Sequence, residues 1–224
     1  MTVRDGTARA YPADAFPGET AGVACGGHFS EAWPVNKYPV VALACSAGGL
    51  DALETVLAPL PAQLPAAVIA LQHMGPDSAS MLATILARHT AVAVQWARDG
   101  EPLRPGSVLV APPARHTLIT RDETIALIPS GSVPPYRPSA DLLLTTLALA
   151  AGPRVIAVVL SGEGQDAATG ATAVHHFGGT VIVSSPETSA RKAMPGATML
   201  RGGVTDYVLP LDEVAEMVIS LASA

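Results

Sequence analysis

"PVVALACSAGGLDALETVLAPL", residues 39 to 60, decides the fold. From Pro39 to Cys45 the chain is apolar without interruption, the pattern of a strand buried on both faces. The run stops at Ser46, and Gly48-Gly49 permit a sharp turn. From Leu50 onward apolar residues recur at helical spacing until prolines close the segment. A buried strand, a glycine turn and an amphipathic helix make the first half of a β-α-β unit. A hydroxyl stands where the strand ends and the helix opens. In open parallel sheets that is where ligands bind.

The same alternation continues. "AAVIALQH" (66–73) reads as a second strand, "SASMLATILARH" (78–89) as a helix with Met81, Leu82, Ile85 and Leu86 on one face, and "AVAVQWA" (91–97) as a third strand. "GSVLVAPP", "HTLIT" and "TIALIPS", between residues 106 and 130, are short strands separated by turn residues and predict an antiparallel hairpin that makes the sheet mixed. Helices are expected over 139–151 and 166–178, strands over 154–162 and 179–185. A short helix in "MPGATMLRGG", a strand in "DYVLP" and a terminal helix over 211–223 complete the series. The fold class expected is α/β: a three-layer αβα domain over residues 38–224, with a mostly parallel doubly wound sheet and an antiparallel hairpin insert. Residues 1–37 show no period of 2 or 3.6 and read as a poorly ordered N-terminal extension.

Composition narrows the function. The formal net charge of -6, with no basic stripe, disfavours a nucleic-acid surface. Two cysteines, Cys25 and Cys45, cannot build a disulfide framework and fit a reducing compartment. The N-terminus lacks the apolar core of a secretory signal. The most apolar long window, Leu142 to Leu160, is interrupted by Gly152-Pro153-Arg154 and fails as a membrane span. A cytoplasmic protein without membrane insertion is expected.

The polar residues at the strand ends form a set. Ser46 closes the first strand, His73 the second, and Asp166 follows the strand that ends "VVLSG". Each has a bland alternative: Ser46 and Asp166 as helix caps, His73 as a satisfied core histidine. Together they supply a nucleophile, a base and an orienting carboxylate. Their chain order, Ser-His-Asp, departs from the Ser-Asp-His order of the common α/β-hydrolases. Neither dinucleotide-binding glycine spacing nor a Walker lysine is present. Cys45 adjoins Ser46, but successive strand residues face opposite ways, so Cys45 reads as a small core residue. His175 and His176 have no carboxylate at metal-ligand spacing, and neither a metal nor another cofactor is expected.

From Pro39 to the end the chain resembles the catalytic domain of the chemotaxis protein-glutamate methylesterases of the CheB type. The matching motifs are "ACSAGGLDAL", "ALQHMGPD", "DGEPLRPGSVLVAPPARH", "RPSADLLLTTLA", "VVLSGEGQDAATG" and "AMPGATMLRGGVTDYVLPL". The resemblance implies a serine hydrolase that releases methanol from glutamyl methyl esters of chemoreceptors, with deamidation of receptor glutamines as a related activity. It places the nucleophile on Ser46, the base on His73 and the orienting carboxylate on Asp166. Oxyanion or substrate-cleft candidates are Ala47, Gly48, Glu163 and Gly164, with His116 lining the cleft. The implied partners are the cytoplasmic helices of methyl-accepting receptors. The family often carries an N-terminal receiver domain, which 37 residues cannot form, so regulation is expected to be absent, supplied in trans by a separate response regulator, or handled by the N-terminal tail. One loop departs from the family pattern: "GEGQDA" stands where Gly-Met-Gly-Asn-Asp-Gly is usual. Glu163 thus replaces a methionine, and its carboxylate would repel an oxyanion unless it turns away. Two alternatives follow: a weakly active or inactive receptor-binding scaffold, or a hydrolase for another ester or amide.

Overall fold

The computed structural model describes residues 37–75, 80–131 and 137–224. The proposed N-terminal extension, all but its last residue, lies outside them. Among the described residues seven strands form one sheet in the order β3-β4-β2-β1-β7-β8-β9. They are β1 (Val40–Cys45), β2 (Ala67–Gln72), β3 (Ala93–Trp96), β4 (Ser107–Val110), β7 (Val155–Val159), β8 (Thr180–Ser184) and β9 (Tyr207–Leu209). Every pairing in this sheet is parallel.

The helices are α1 (Gly49–Leu57), α2 (Leu82–His89), α3 (Ala140–Ala151), α4 (Ala168–His176), α5 (Ala193–Met199) and α6 (Val214–Ala222). They divide between the faces by strand parity. Val41, Leu43 and Cys45 of β1 join a core with Leu53 of α1, Leu86 of α2 and Val218 of α6. Val40, Ala42 and Ala44 join a second core with Leu143, Leu144 and Leu147 of α3 and Val174 of α4. All six residues of β1 are buried, which explains why its sequence shows a continuous apolar run instead of alternation.

Three expectations need correction. The hairpin of β5 (Arg115–Ile119) and β6 (Ile125–Pro129) forms its own two-stranded sheet and does not mix the main one. Its strands are buried on one side only, with Ile119 and Ile125 packed into the α3 core and Ile128 exposed. β4, taken above with the short strands of that hairpin region, is instead an interior strand of the parallel sheet, consistent with its unbroken "SVLV". Met81 does not share the buried face of α2; it lies 57% exposed at the N-cap, and Leu82, Ala83 and Leu86 carry the packing.

From β1 the chain builds β2, β3 and β4 on one side, then returns to lay β7 against the other side of β1. The switch point is the cleft between the carboxyl ends of β1 and β7, where such folds place their ligands. There α3 and α4 meet at their first turns with no space for a side chain. A Cβ added at Gly170 would stand 2.6 Å from Leu144 Cβ and 3.1 Å from Asp141 Cα. Gly170→Ala is therefore expected to destabilise the domain by about 1–3 kcal/mol, as overpacking does. Chemical denaturation against the parent protein measures it, and an unchanged midpoint would contradict this packing.

Candidate active site

Ser46 directly follows β1. Cys45 pairs with Gln72 across the parallel ladder, and the His73 amide donates to the Cys45 carbonyl at 3.1 Å. Ser46 and His73 are therefore the next neighbours in register, at a spacing of roughly 5 Å between adjacent strands. Parity carries both onto the α3 side, since Ala44 and Leu71 already face that core. Cys45 faces the other way, buried against α1, where burial alone pushes its thiol pKa far upward. The thiol is a core group and takes no part in the site.

Ser46 does not cap a helix. The N-cap of α1 is Gly48, in the left-handed region at φ 72°, with no side-chain cap. The chain after Ser46 turns back at once, with the Gly49 amide donating to the Ser46 carbonyl at 2.9 Å. The Ser46 amide donates to the Ser161 carbonyl at 2.9 Å, fastening the elbow to the end of β7. The Ser161 hydroxyl, missed in the sequence reading, donates to the Ala47 carbonyl (2.8 Å) and accepts from the Arg191 amide (3.0 Å). It staples the elbow, β7 and the approach to α5 together. Its signal was the one that flagged Ser46, a hydroxyl at the end of an apolar strand.

Asp166 does not cap its own helix either. The N-cap of α4 is Ala167, without a side-chain cap. The Asp166 carboxylate reaches across to α3 instead. Oδ2 accepts from the Ala140 amide (2.6 Å) and the His73 Nε2–H (2.8 Å), while Oδ1 accepts from the Asp141 amide (2.9 Å) and the Ser139 hydroxyl (3.2 Å). Four donors fill the acceptor positions of one carboxylate. Burial pushes its pKa upward, but the bonds from His73 and the two amides outweigh this and hold it below the ordinary carboxylate value. The ionised acceptor fixes the ring: Nε2 carries a proton, and the lone pair of the neutral imidazole is on Nδ1. His73 is 10% exposed and Asp166 2%. Among the described residues no hydrogen bond joins the Ser46 hydroxyl to the ring, so that link rests on register and face.

The remaining candidates border these three. The amides of Ala47, Glu163 and Gly164 donate to no protein acceptor among the described residues. Gly162, between Ser161 and Glu163, has no room for a side chain; an added Cβ would stand 2.9 Å from Ser46 Cβ and 2.5 Å from Met194 Sδ. The Glu163 side chain turns to solvent, 61% exposed, with Oε1 at 3.6 Å from Arg191 Nε. An open depression of about 240 Å³ is lined by His73, Met74, Gly75 and Arg137. His116, on β5, accepts the Ser139 amide on Nδ1 at 3.0 Å. It thus supports the residue that opens α3, where the Asp166 carboxylate is seated.

Among the described residues no group of three His, Cys, Asp or Glu is arranged to hold a metal ion, and no helix is long and apolar enough to cross a membrane.

Fold and site define the class: a doubly wound α/β domain with a serine, a histidine and an aspartate gathered at its topological switch point. The CheB methylesterase family model matches residues 41–218, and the chain belongs to that family. A protein-glutamate methylesterase/protein-glutamine glutaminase of Moorella thermoacetica is 37% identical over 188 residues, 82% of this chain and 44% of the relative. One from Methanosarcina acetivorans is 37% identical over 81% of this chain and 53% of its own length. The chain thus spans about half the length of these curated relatives. The Thermotoga maritima CheB methylesterase catalytic domain superposes with a TM-score of 0.78 at 33% identity, covering 83% of this chain and 99% of that one.

The His116 bond sets a pH dependence. Burial lowers the pKa of His116, assisted by Arg137 and opposed by the Asp166 charge. The unfolded chain therefore binds the proton more readily than the native state, and stability falls as pH drops below the ordinary histidine value near 6.5. His116→Asn retains an acceptor but cannot titrate. The parent's Tm is expected to fall relative to that of His116→Asn between about pH 7.5 and pH 5. Parallel melting curves would exclude a neutral acceptor at this position.

Proposed function

We propose that this domain hydrolyses glutamyl γ-methyl esters on chemoreceptors in the cytoplasm, by way of an acyl-enzyme on Ser46. The single observation that carries the reading is the 2.8 Å bond between His73 Nε2 and a buried, ionised Asp166, with Ser46 beside His73 in register. The names of the relatives supply the substrate class, protein-glutamate methyl esters and protein glutamines.

The chemistry follows from the protonation state. His73 Nδ1 takes the Ser46 proton as Oγ attacks the ester carbonyl carbon, and Asp166 stabilises the resulting imidazolium. The carbonyl oxygen becomes an oxyanion facing the Ala47, Glu163 and Gly164 amides. Each such donor contributes roughly 3 kcal/mol in sites of this kind. Collapse expels methoxide, which takes the proton back from His73 and leaves as methanol. Water, deprotonated by His73, then attacks the acyl-enzyme, releases the glutamate carboxylate and restores Ser46. A glutamine side chain follows the same route with ammonia as leaving group.

The scaffold alternative rests on Glu163. With that carboxylate solvated and beside Arg191, its repulsion of an oxyanion is screened, which favours the enzyme reading. Ser46→Ala is expected to cut methanol release from methylated receptor by about a thousandfold or more, with an unchanged circular dichroism spectrum. A fluorophosphonate probe is expected to label the parent at Ser46. A fully active Ser46→Ala variant would remove the nucleophile assignment, and an unlabelled parent with no turnover would favour the scaffold.

A further inference from the structure

The first turns of α3 and α4 exchange aspartates. The Asp166 carboxylate, just before α4, accepts the amides of Ala140 and Asp141 in the first turn of α3. The Asp141 carboxylate in turn accepts the Gly170 amide in the first turn of α4 at 2.7 Å, with the Ala167 and Thr169 amides also directed to it. The exchange accounts for part of the opening donors of both helices. On α3, Ala140 and Asp141 donate to Asp166, Leu142 to the Ser139 hydroxyl and Leu143 to the Ser139 carbonyl. On α4, where Ala167 offers no side chain, Asp141 takes the role of an N-cap from another helix.

The arrangement is mechanically tight. Asp141 is joined to Asp166 through its own amide and to the segment after Asp166 through its side chain. Gly170 allows the two helix starts to approach without a Cβ between them. The loop bearing Asp166 is therefore held at its far end by Asp141 as well as by the amides it caps. Ordinary helix caps act within three residues; this one joins positions 141 and 170.

We propose that Asp141 is a positioning residue of the active site, fixing the Asp166 carboxylate against His73 by capping α4 from the first turn of α3. The inference rests on the reading of Asp166 as the carboxylate that orients the base. Asp141 touches neither the proposed nucleophile nor the proposed base, and its contribution appears in turnover, not in substrate affinity.

The test uses Asp141→Asn and Asp141→Ala in the full chain, with Asp166→Ala as reference. Asparagine keeps one oxygen for the Gly170 amide, whereas alanine removes both. We expect kcat for methanol release to fall about tenfold in Asp141→Asn and about a hundredfold in Asp141→Ala, with KM within about threefold of the parent. The Nε2 proton shared by His73 and Asp166 is expected to give a downfield proton resonance in the parent that vanishes in Asp166→Ala. In both Asp141 variants it is expected to move upfield or broaden. A purely structural role would lower Tm but leave that resonance and the kcat per folded molecule at parental values, and this result would overturn the inference. Should the alanine variant fail to fold, the isosteric Asp141→Asn decides by the same two readouts. If Asp166→Ala itself turns over normally, the Ser-His-Asp reading fails. If Asp166→Ala is inactive while Asp141→Asn matches the parent in both readouts, only the present inference falls.

Discussion

One buried anion organises this domain. Removing a carboxylate from water costs several kcal/mol unless donors replace the lost hydration. Asp166 is 2% exposed and receives two amides, one hydroxyl and one imidazole. Three of those four donors belong to the start of α3, where the unpaired amides and the helix dipole both favour a negative charge. The carboxylate is thus satisfied by structure that would otherwise be unsatisfied itself. His73 is the remaining donor, and its bond to the anion fixes which ring nitrogen is basic. Capping of α3 and orientation of the His73 ring both come from this one carboxylate.

The parallel ladder supplies the other constraint. Because side chains alternate along a strand, a one-residue slip of β1 would turn Ser46 toward α1 and bring Cys45 to the α3 face. The turn resists that slip, since Gly48 has a positive φ of 72° and a Cβ at Gly49 would stand 2.5 Å from Cys45 Sγ, and the two-sided burial of β1 resists it further. Val41, Leu43 and Cys45 fit one core and Val40, Ala42 and Ala44 the other, and exchanging the sets would mismatch both. The elbow at Ser46 is then held by Ser161, whose hydroxyl bridges Ala47 and Arg191. The place of Ser46, the proposed nucleophile, comes from core packing far larger than the site.

These two constraints differ in how far they can be read from sequence. The apolar runs and their breaks locate the strands, and the rule that parallel sheets bind at their carboxyl ends draws out Ser46, His73 and Asp166 before any coordinates. What sequence misses is non-local. Ser46 and Asp166 both look like helix caps because serine and aspartate prefer those positions, yet Gly48 and Ala167 occupy them. The carboxylates of Asp141 and Asp166 instead cap across from one helix to the other, and no periodicity within a window of a dozen residues reports bonds between positions 141 and 170 or 139 and 166. β4 illustrates a signal present but overruled. Its unbroken apolar run marks a buried strand, whereas proximity to two short strands suggested a hairpin. The contrast between continuous burial in β4 and one-sided burial in the β5–β6 pair separates them.

The loop from Gly162 to Ala167 shows how such a site divides work between backbone and side chains. Its departures from the usual family wording fall at Glu163, Gln165 and Ala167, while the carboxylate at 166 and the glycines at 162 and 164 stay. Glycine at 162 is demanded by contact with Ser46 and Met194, and Gly164 has a positive φ of 83°. The proposed oxyanion donors in this loop are peptide amides, which every residue except proline provides. A side chain directed to solvent, as Glu163 is, can therefore change without removing the donor beneath it, and its charge acts only through a distance that salt and the neighbouring Arg191 attenuate. Asp166 has no such freedom, because its buried carboxylate holds four donors at once. The loop's chemistry is accordingly fixed at its buried end and open to variation at its rim.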